Sequence, residues 1–481
     1  MPLFALAAQV TRPFVATRKT ARLHSKPMKP MNHFPHGVRP LAKIMAALVF
    51  GATVLATPAW AQSLVDLYGQ ARTSDAAYFS AKAQADANLA RSEQARAGLL
   101  PSAALSAGAS QSFLAVAPSV GPSSDRGYGT QQLGLNGSYP LYRPANQVAF
   151  DQGQKLLEQS EAQLLAADQD LMVRISQAYF DVLASQDSLT FVLAQKTAVA
   201  EQLAAAKRNF EVGTSTITDS REAQARFDLV VAQQLAAEND LLVKRLALDQ
   251  AVGKTGVAPK PVALPLTLPG MVPADVNTWV QQSELNHPTL RQLRTAVDVA
   301  VLETARARAG EKPTVDVVGN YAMVRNDGGS SSATVGSWVN SATVGIQLNM
   351  PLYTGNATQN RIKETLALEE KARVDLEGAR RTIAQAVRSA YFGVLSGQGQ
   401  VKALEAAEAS SQSALEANQL GYKVGVRINI DVLNAQSQLF QTKRDLARAR
   451  YDVLVGSLRL RQANGSLAAG DLSGINALLV N

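Results

Sequence analysis

The residue types that most often carry chemistry are nearly missing from this chain. It has no Cys, which excludes disulfides, thiolate metal sites and a Cys-anchored lipid. Of its four His, three (His24, His33 and His36) fall in a basic leader, and His287 alone remains in the body. His287 precedes Pro288 at an expected helix start, where a cap or turn accounts for it. One His and no Cys cannot build the familiar nucleophile–base or metal constellations. Nothing else points to an enzyme, and no cofactor or metal is expected. What remains is hydrogen bonding and charge, gathered in a segment that occurs twice. The first copy is Phe210-Glu-Val-Gly-Thr-Ser-Thr-Ile-Thr-Asp219, and the second, 212 residues on, is Tyr422-Lys-Val-Gly-Val-Arg-Ile-Asn-Ile-Asp431. Gly213 and Gly425 can take the left-handed conformation that ends a helix. Thr218, Asp219, Asn429 and Asp431 can accept hydrogen bonds from the free N–H groups that open the next helix. Each copy reads as the tip of a helical hairpin.

The elements that must position these tips repeat as well. Residues 63–97 carry helical spacing (Leu64, Leu67, Tyr68, Ala71) that stops at Gly98 and Pro101. A Ser- and Gly-rich first strand from Ser102 to about Phe113 leads into a Gly/Pro/Ser-rich loop over 115–129. Thr130 to Tyr142 then alternates apolar and polar residues as a half-buried strand does. A helical run from about Ala145 to Phe210 follows, with Leu164, Leu171 and Ala178 in heptads and Leu165, Met172 and Tyr179 one step on. The return helix, about Ser220 to Val252, carries Phe227, Leu241 and Leu248.

The second half restates this programme. Thr314 to Val324 and Ser341 to Met350 form its strand pair around another Gly/Ser-rich loop. Ala390-Tyr-Phe-Gly-Val-Leu395 echoes Ala178-Tyr-Phe-Asp-Val-Leu183, and Leu439, Leu446, Val453 and Leu460 give an unbroken heptad return. The chain therefore divides into a leader over 1–61, a first repeat over 62–258, a Pro-rich linker over 259–273, a second repeat over 274–465 and a tail over 466–481.

Composition sets the compartment. The formal charge of +8 is misleading, because residues 1–61 hold eight Lys/Arg and no acid; removing them leaves 39 basic and 39 acidic residues. A nucleic-acid reading loses its support. The leader ends in Arg39 and Lys43, an apolar run from Ile44 to Ala56, and Ala59-Trp60-Ala61. This is the order of a secretory signal peptide cleaved after Ala61, with an uncleaved anchor as the alternative. The 27 residues before Met28 exceed an ordinary n-region, so Met28 or Met31 is expected as a start. No later apolar run is long enough for a transmembrane helix.

Strands of about 10–12 residues suit a bilayer crossing. Four strands cannot close a membrane barrel, whose smallest forms have about eight, and an open edge is forbidden in lipid. Two chains would give eight strands and three would give twelve. The long helices would continue from the barrel as a coiled-coil tube.

With the two tips, the Ala-Tyr-Phe-x-Val-Leu repeats and the strand pairs in place, Gln62 to about Asn476 resembles the TolC family of outer-membrane channel proteins. The resemblance implies a mixed membrane protein: a homotrimer whose four strands per chain build a 12-stranded β-barrel in outer-membrane lipid, continued by an α-helical periplasmic tunnel. It implies the exit duct of a tripartite efflux or type I secretion system, partnered by a periplasmic adaptor and an inner-membrane ABC or RND-type pump. In the family Tyr and Arg on the second hairpin hold Thr and Asp on the first, closing the tunnel. Those positions are Tyr422, Arg427, Thr218 and Asp219, for which a helix cap at Asp219 and a solvated Arg427 are the local alternative. Asp431 falls on an acidic pore ring, whereas Asn434 stands where close relatives carry Asp; weaker cation selectivity follows. The rivals are a non-conducting coiled-coil envelope protein and a periplasmic adaptor. The latter would carry one hairpin set between soluble β domains rather than two.

Overall fold

The computed structural model describes residues 61–117, 119–263, 265–330 and 335–480. The signal peptide read over 1–61 lies outside them except for Ala61. Two helices, α1 (Leu64–Ala71) and α2 (Ala76–Ala97), lead into strands β1 (Ser102–Val116) and β2 (Ser124–Tyr142). Then come the long helix α3 (Pro144–Glu211) and its return α4 (Ile217–Val252). The second half runs α5 (Val276–Asn286), α6 (Pro288–Ala309), β3 (Thr314–Asp327), β4 (Ser337–Asn349), α7 (Ala357–Lys423), α8 (Asn429–Asn464) and the short α9 (Ala469–Asn476).

The four strands form one antiparallel sheet in chain order, with β1 and β4 as its outer edges. Register sorts its side chains. Leu105 pairs Leu135, which pairs Tyr321, which pairs Ala342; Val317 pairs Ile346 and Val315 pairs Leu348. Since paired residues share a face, one face is apolar across all four strands. The other carries Ser106, Gly134, Gln132, Asn136, Asn320, Thr343 and Gln347. Among the described residues nothing covers the apolar face: Leu105 is 72%, Val344 81% and Ile346 72% exposed. Among the described residues no helix is long and apolar enough to cross a membrane, which leaves this sheet as the surface suited to lipid.

The strands run further than composition suggested. β2 begins at Ser124 and β4 at Ser337, inside stretches expected as loop, because ladder pairing continues through the small residues, as in Phe113 to Gly127.

The helices α3 and α7, with 68 and 67 residues, are each about 100 Å long at 1.5 Å per residue. Their stability comes from packing rather than from propensity. Leu439, Leu446, Val453 and Leu460 are all buried, as the heptad required, and Leu171, Met172 and Tyr179 are buried on α3. Leu165 departs from that pattern at 41% exposure. The Ala-Tyr-Phe repeats have a shared purpose at the linker. Tyr179 Oη donates to the Lys260 carbonyl at 2.7 Å, and Tyr391 Oη donates to the Ala274 carbonyl. One tyrosine from each long helix thus pins one end of the segment joining the halves.

The stretch read as a tail over 466–481 contributes to the core through its described residues, 466–480. Leu467, Leu472, Ile475 and Leu479 are buried with Leu64 and Leu67, and the Val480 N–H donates to the Pro261 carbonyl at 2.9 Å. His287 caps α6, its Nδ1 accepting from the Thr289 N–H at 3.2 Å. Burial lowers its pKa, in keeping with the neutral ring that such an acceptor needs.

Candidate functional site at the paired helical tips

Both tips turn on a left-handed glycine, with φ of +77° at Gly213 and +79° at Gly425. Any other residue at these positions would be strained. The hydrogen bonds around them match. The Thr214 N–H reaches the Asn209 carbonyl at 2.8 Å in the first tip, and the Val426 N–H reaches the Gly421 carbonyl at 2.9 Å in the second. These bonds satisfy the carbonyls that a helix end leaves free.

The side chains diverge from there. In the first tip the cap is Thr216 rather than Thr218 or Asp219. Thr216 Oγ1 accepts from the Asp219 N–H at 3.2 Å, and the Asp219 carboxylate accepts from the Thr216 N–H at 3.1 Å, which closes a capping box. Ser215 Oγ adds a 2.5 Å bond to the same carboxylate. That bond, the largest influence, and the Thr216 bonds hold the Asp219 carboxyl below its ordinary value against a smaller opposing effect of burial. Thr218, one residue earlier, is exposed and makes no side-chain hydrogen bond among the described residues.

In the second tip the capping position is Ile428, which has no oxygen to offer. Neither Asn429 nor Asp431 caps there, contrary to expectation. Asn429 is fully buried and joins the hairpins instead: its Oδ1 accepts from Gln202 and its Nδ2 donates to the Asp219 carbonyl at 3.4 Å. Asp431 lies 3.7 Å from Arg427, in a loose pair whose side chains are 34% and 59% exposed. The stem of Arg427 crosses Gly421 so closely that a Cβ there would sit 2.7 Å from Cγ.

The four residues expected to join the hairpins are therefore not bonded to one another in this conformation. Asp219 is held by its cap, Arg427 by Asp431 of its own hairpin, and Tyr422 Oη accepts from Asn209 Nδ2 at 3.3 Å. Tyr422 does reach the first hairpin, but through a residue that sequence reasoning missed. Arg226 was missed as well; its Nη2 donates to Asn434 Oδ1 at 2.6 Å, a second polar bridge between α4 and α8. Beneath these bonds, Leu433 and Ile430 of the second hairpin pack among Leu203, Ala206, Ala223 and Val230 of the first. The signal for Asn209 was faint: it occupies the place of Gly421 in the repeat, where the two copies differ.

This arrangement holds two long helical hairpins together at their ends by a few replaceable polar contacts over a small apolar patch. Such an element is suited to having two states.

Comparison with known proteins agrees with the architecture. The family model described as "Outer membrane efflux protein" matches residues 67–254 and 279–466, once on each repeat. The outer membrane protein TolC of Vibrio cholerae is 33% identical over 438 residues, which are 91% of this chain and 98% of that protein. The alkaline protease secretion protein AprF of Pseudomonas aeruginosa is 30% identical over 90% of this chain and 91% of its own. The crystal structure of the outer membrane protein VceC from Vibrio cholerae superposes with a TM-score of 0.72 over 84% of this chain and 96% of that one; at 18% identity this likeness speaks for the fold. Together they place the protein in the outer membrane. Two matched repeats and relatives aligned over nearly their whole length lead to one conclusion: the chain belongs to the outer membrane efflux protein family.

Proposed function

We propose that three copies of this chain close a single 12-stranded barrel, and that the helices continue it as a periplasmic tunnel. The assembly is a passive exit duct for efflux or type I secretion. A periplasmic adaptor and an inner-membrane ABC or RND-type pump engage it and open it at the helical tips. The observation that carries this reading is the sheet: four strands, an uncovered apolar face and two unpaired edges, joined directly to helices of 68 and 67 residues. Backbone edges in lipid must find partners, and copies of the same chain supply them at both sides.

We assign the gate to Thr218, Asp219, Tyr422 and Arg427, with Asp431 and Asn434 at the constriction and Gly213 and Gly425 as the turning points. Support comes from position and availability. Tyr422 already bonds across to the first hairpin, and among the described residues the Arg427 guanidinium has one polar partner, the loose 3.7 Å pair with Asp431, so it can exchange partners at small cost. Closing the gate then means moving two side chains within the tips.

Planar-bilayer conductance of the purified mature chain tests both parts, with Tyr422→Phe/Arg427→Ser beside the wild type. Small wild-type conductance that rises severalfold in the double variant is the expected result. Equal conductance in the two sinks the gate assignment, and no conductance from folded trimers sinks the duct.

A further inference from the structure

The bridge between Arg226 and Asn434 changes the charge of the tips, with a consequence for what passes them. Asn434 lies three residues beyond Asp431 on α8, one helical turn further and on the same face. Arg226 approaches it from α4 with Nη2 2.6 Å from Oδ1. An amide oxygen fixes a guanidinium without neutralising it.

No carboxylate among the described residues pairs with Arg226. Asp219 is enclosed in its capping box, Asp228 accepts from Gln224 at 2.9 Å, and Asp431 faces Arg427. Over residues 207–228 and 423–434 there are six basic and five acidic side chains. The excess is one positive charge per chain. Lys207 and Arg226 are each held by a neutral amide, Lys207 by Gln224 at 3.3 Å within its own hairpin and Arg226 by Asn434 across the two hairpins.

We infer that Arg226, held on Asn434, makes the second level of the constriction a ring of positive charge that selects for anions and anionic cargo. This rests on the duct reading above. Three guanidinium groups would converge on one narrow aqueous passage between low-dielectric walls, the geometry in which fixed charge is focused rather than screened. Rings of Arg or Lys are how pores favour anions. In this conformation Asp431 does not cancel the ring, because each copy faces its own Arg427. The effect is thus more than the loss of an acidic ring: the sign at this level is reversed.

The test uses the full trimeric channel in planar bilayers, comparing wild type with Arg226→Gln, Arg226→Lys and Asn434→Asp. Reversal potential is read in a KCl gradient, and block is read with hexacyanoferrate(II) and with spermine added on the tip side. Wild type should show an anion-selective reversal potential and stronger block by hexacyanoferrate(II) than by spermine. Arg226→Gln should weaken the anion block about tenfold. Asn434→Asp, by giving the guanidinium a carboxylate partner, should weaken it similarly. Arg226→Lys should retain the block, since a purely structural role for the planar guanidinium would be lost with Lys. A cation-selective wild type, or block unchanged in Arg226→Gln, overturns the inference while leaving the duct intact. A wild type that conducts nothing removes the duct reading and this inference with it.

Discussion

The two tips share a backbone and differ in how it is fastened. Both turn on a left-handed glycine and both close their first helix with the same carbonyl bonds. The first then locks its second helix with Ser215, Thr216 and Asp219 around one carboxylate. At the equivalent places the second has Arg427, Ile428 and Asp431, with one loose ion pair and no cap. The second tip instead sends Leu433 into the first hairpin, where the repeat-equivalent residue of the first tip is the exposed Arg221. A duplicated element has become one tip that is internally rigid and one that is held mainly by its neighbour. The softer partner is the one expected to move.

Removing the neighbour's hold should have the largest effect. Leu433 is 1% exposed, and Leu433→Ala should cost about 2–5 kcal/mol, as buried Leu truncations do. Arg221→Ala should lie within about 0.5 kcal/mol of wild type. Chemical denaturation of the two variants in detergent checks the pair, and equal costs would break the comparison.

The next effect concerns the cap. Asp219→Asn should cost about 1 kcal/mol, read as faster amide exchange over 214–220. Asp431→Asn should change exchange over 426–432 little, because an exposed pair contributes about 0–1 kcal/mol. The pH sign follows from the lowered folded-state pKa of Asp219. Its contribution is fully present above the unfolded carboxyl value of about 4 and is lost as pH falls through the lower folded value. Acid should therefore loosen the first tip, and Asp219→Asn should remove that dependence.

The smallest effect sharpens the comparison from the other side. Ile428→Thr would supply the hydroxyl that Asp431 lacks and should stabilise the start of α8 by about 0.5–1 kcal/mol. Slower exchange over 428–432 with unchanged exchange at the first tip is the expected outcome. If the tip is the moving part, open-state conductance events should also become rarer.

What could be read from sequence was whatever the backbone and the apolar repeat dictate. Gly213 and Gly425 announced the turns because only left-handed glycine fits there. Leu439, Leu446, Val453 and Leu460 announced a packed face because heptad spacing leaves few alternatives. The capping residues were misread because Thr216, Thr218 and Asp219 all suit a helix start, and the structure selects among them by one or two residues of helix phase. Ser124 and Ser337 hid the strand starts, since small polar residues read as loop until a paired strand supplies their hydrogen bonds. Asn209 and Arg226 were hidden for another reason. Their partners, Tyr422 and Asn434, lie more than 200 residues away on a separate hairpin, and no local pattern reports such a meeting.

The unpaired outer edges of β1 and β4 bear on how the protein reaches its membrane. A single copy entering lipid would carry two rows of backbone N–H and C=O groups into a medium with nothing to bond them, at several kcal/mol for each. A lone inserted copy is therefore disfavoured relative to the closed ring. Meeting while the sheets are still wet avoids that cost, because a closed ring enters lipid with every edge already paired.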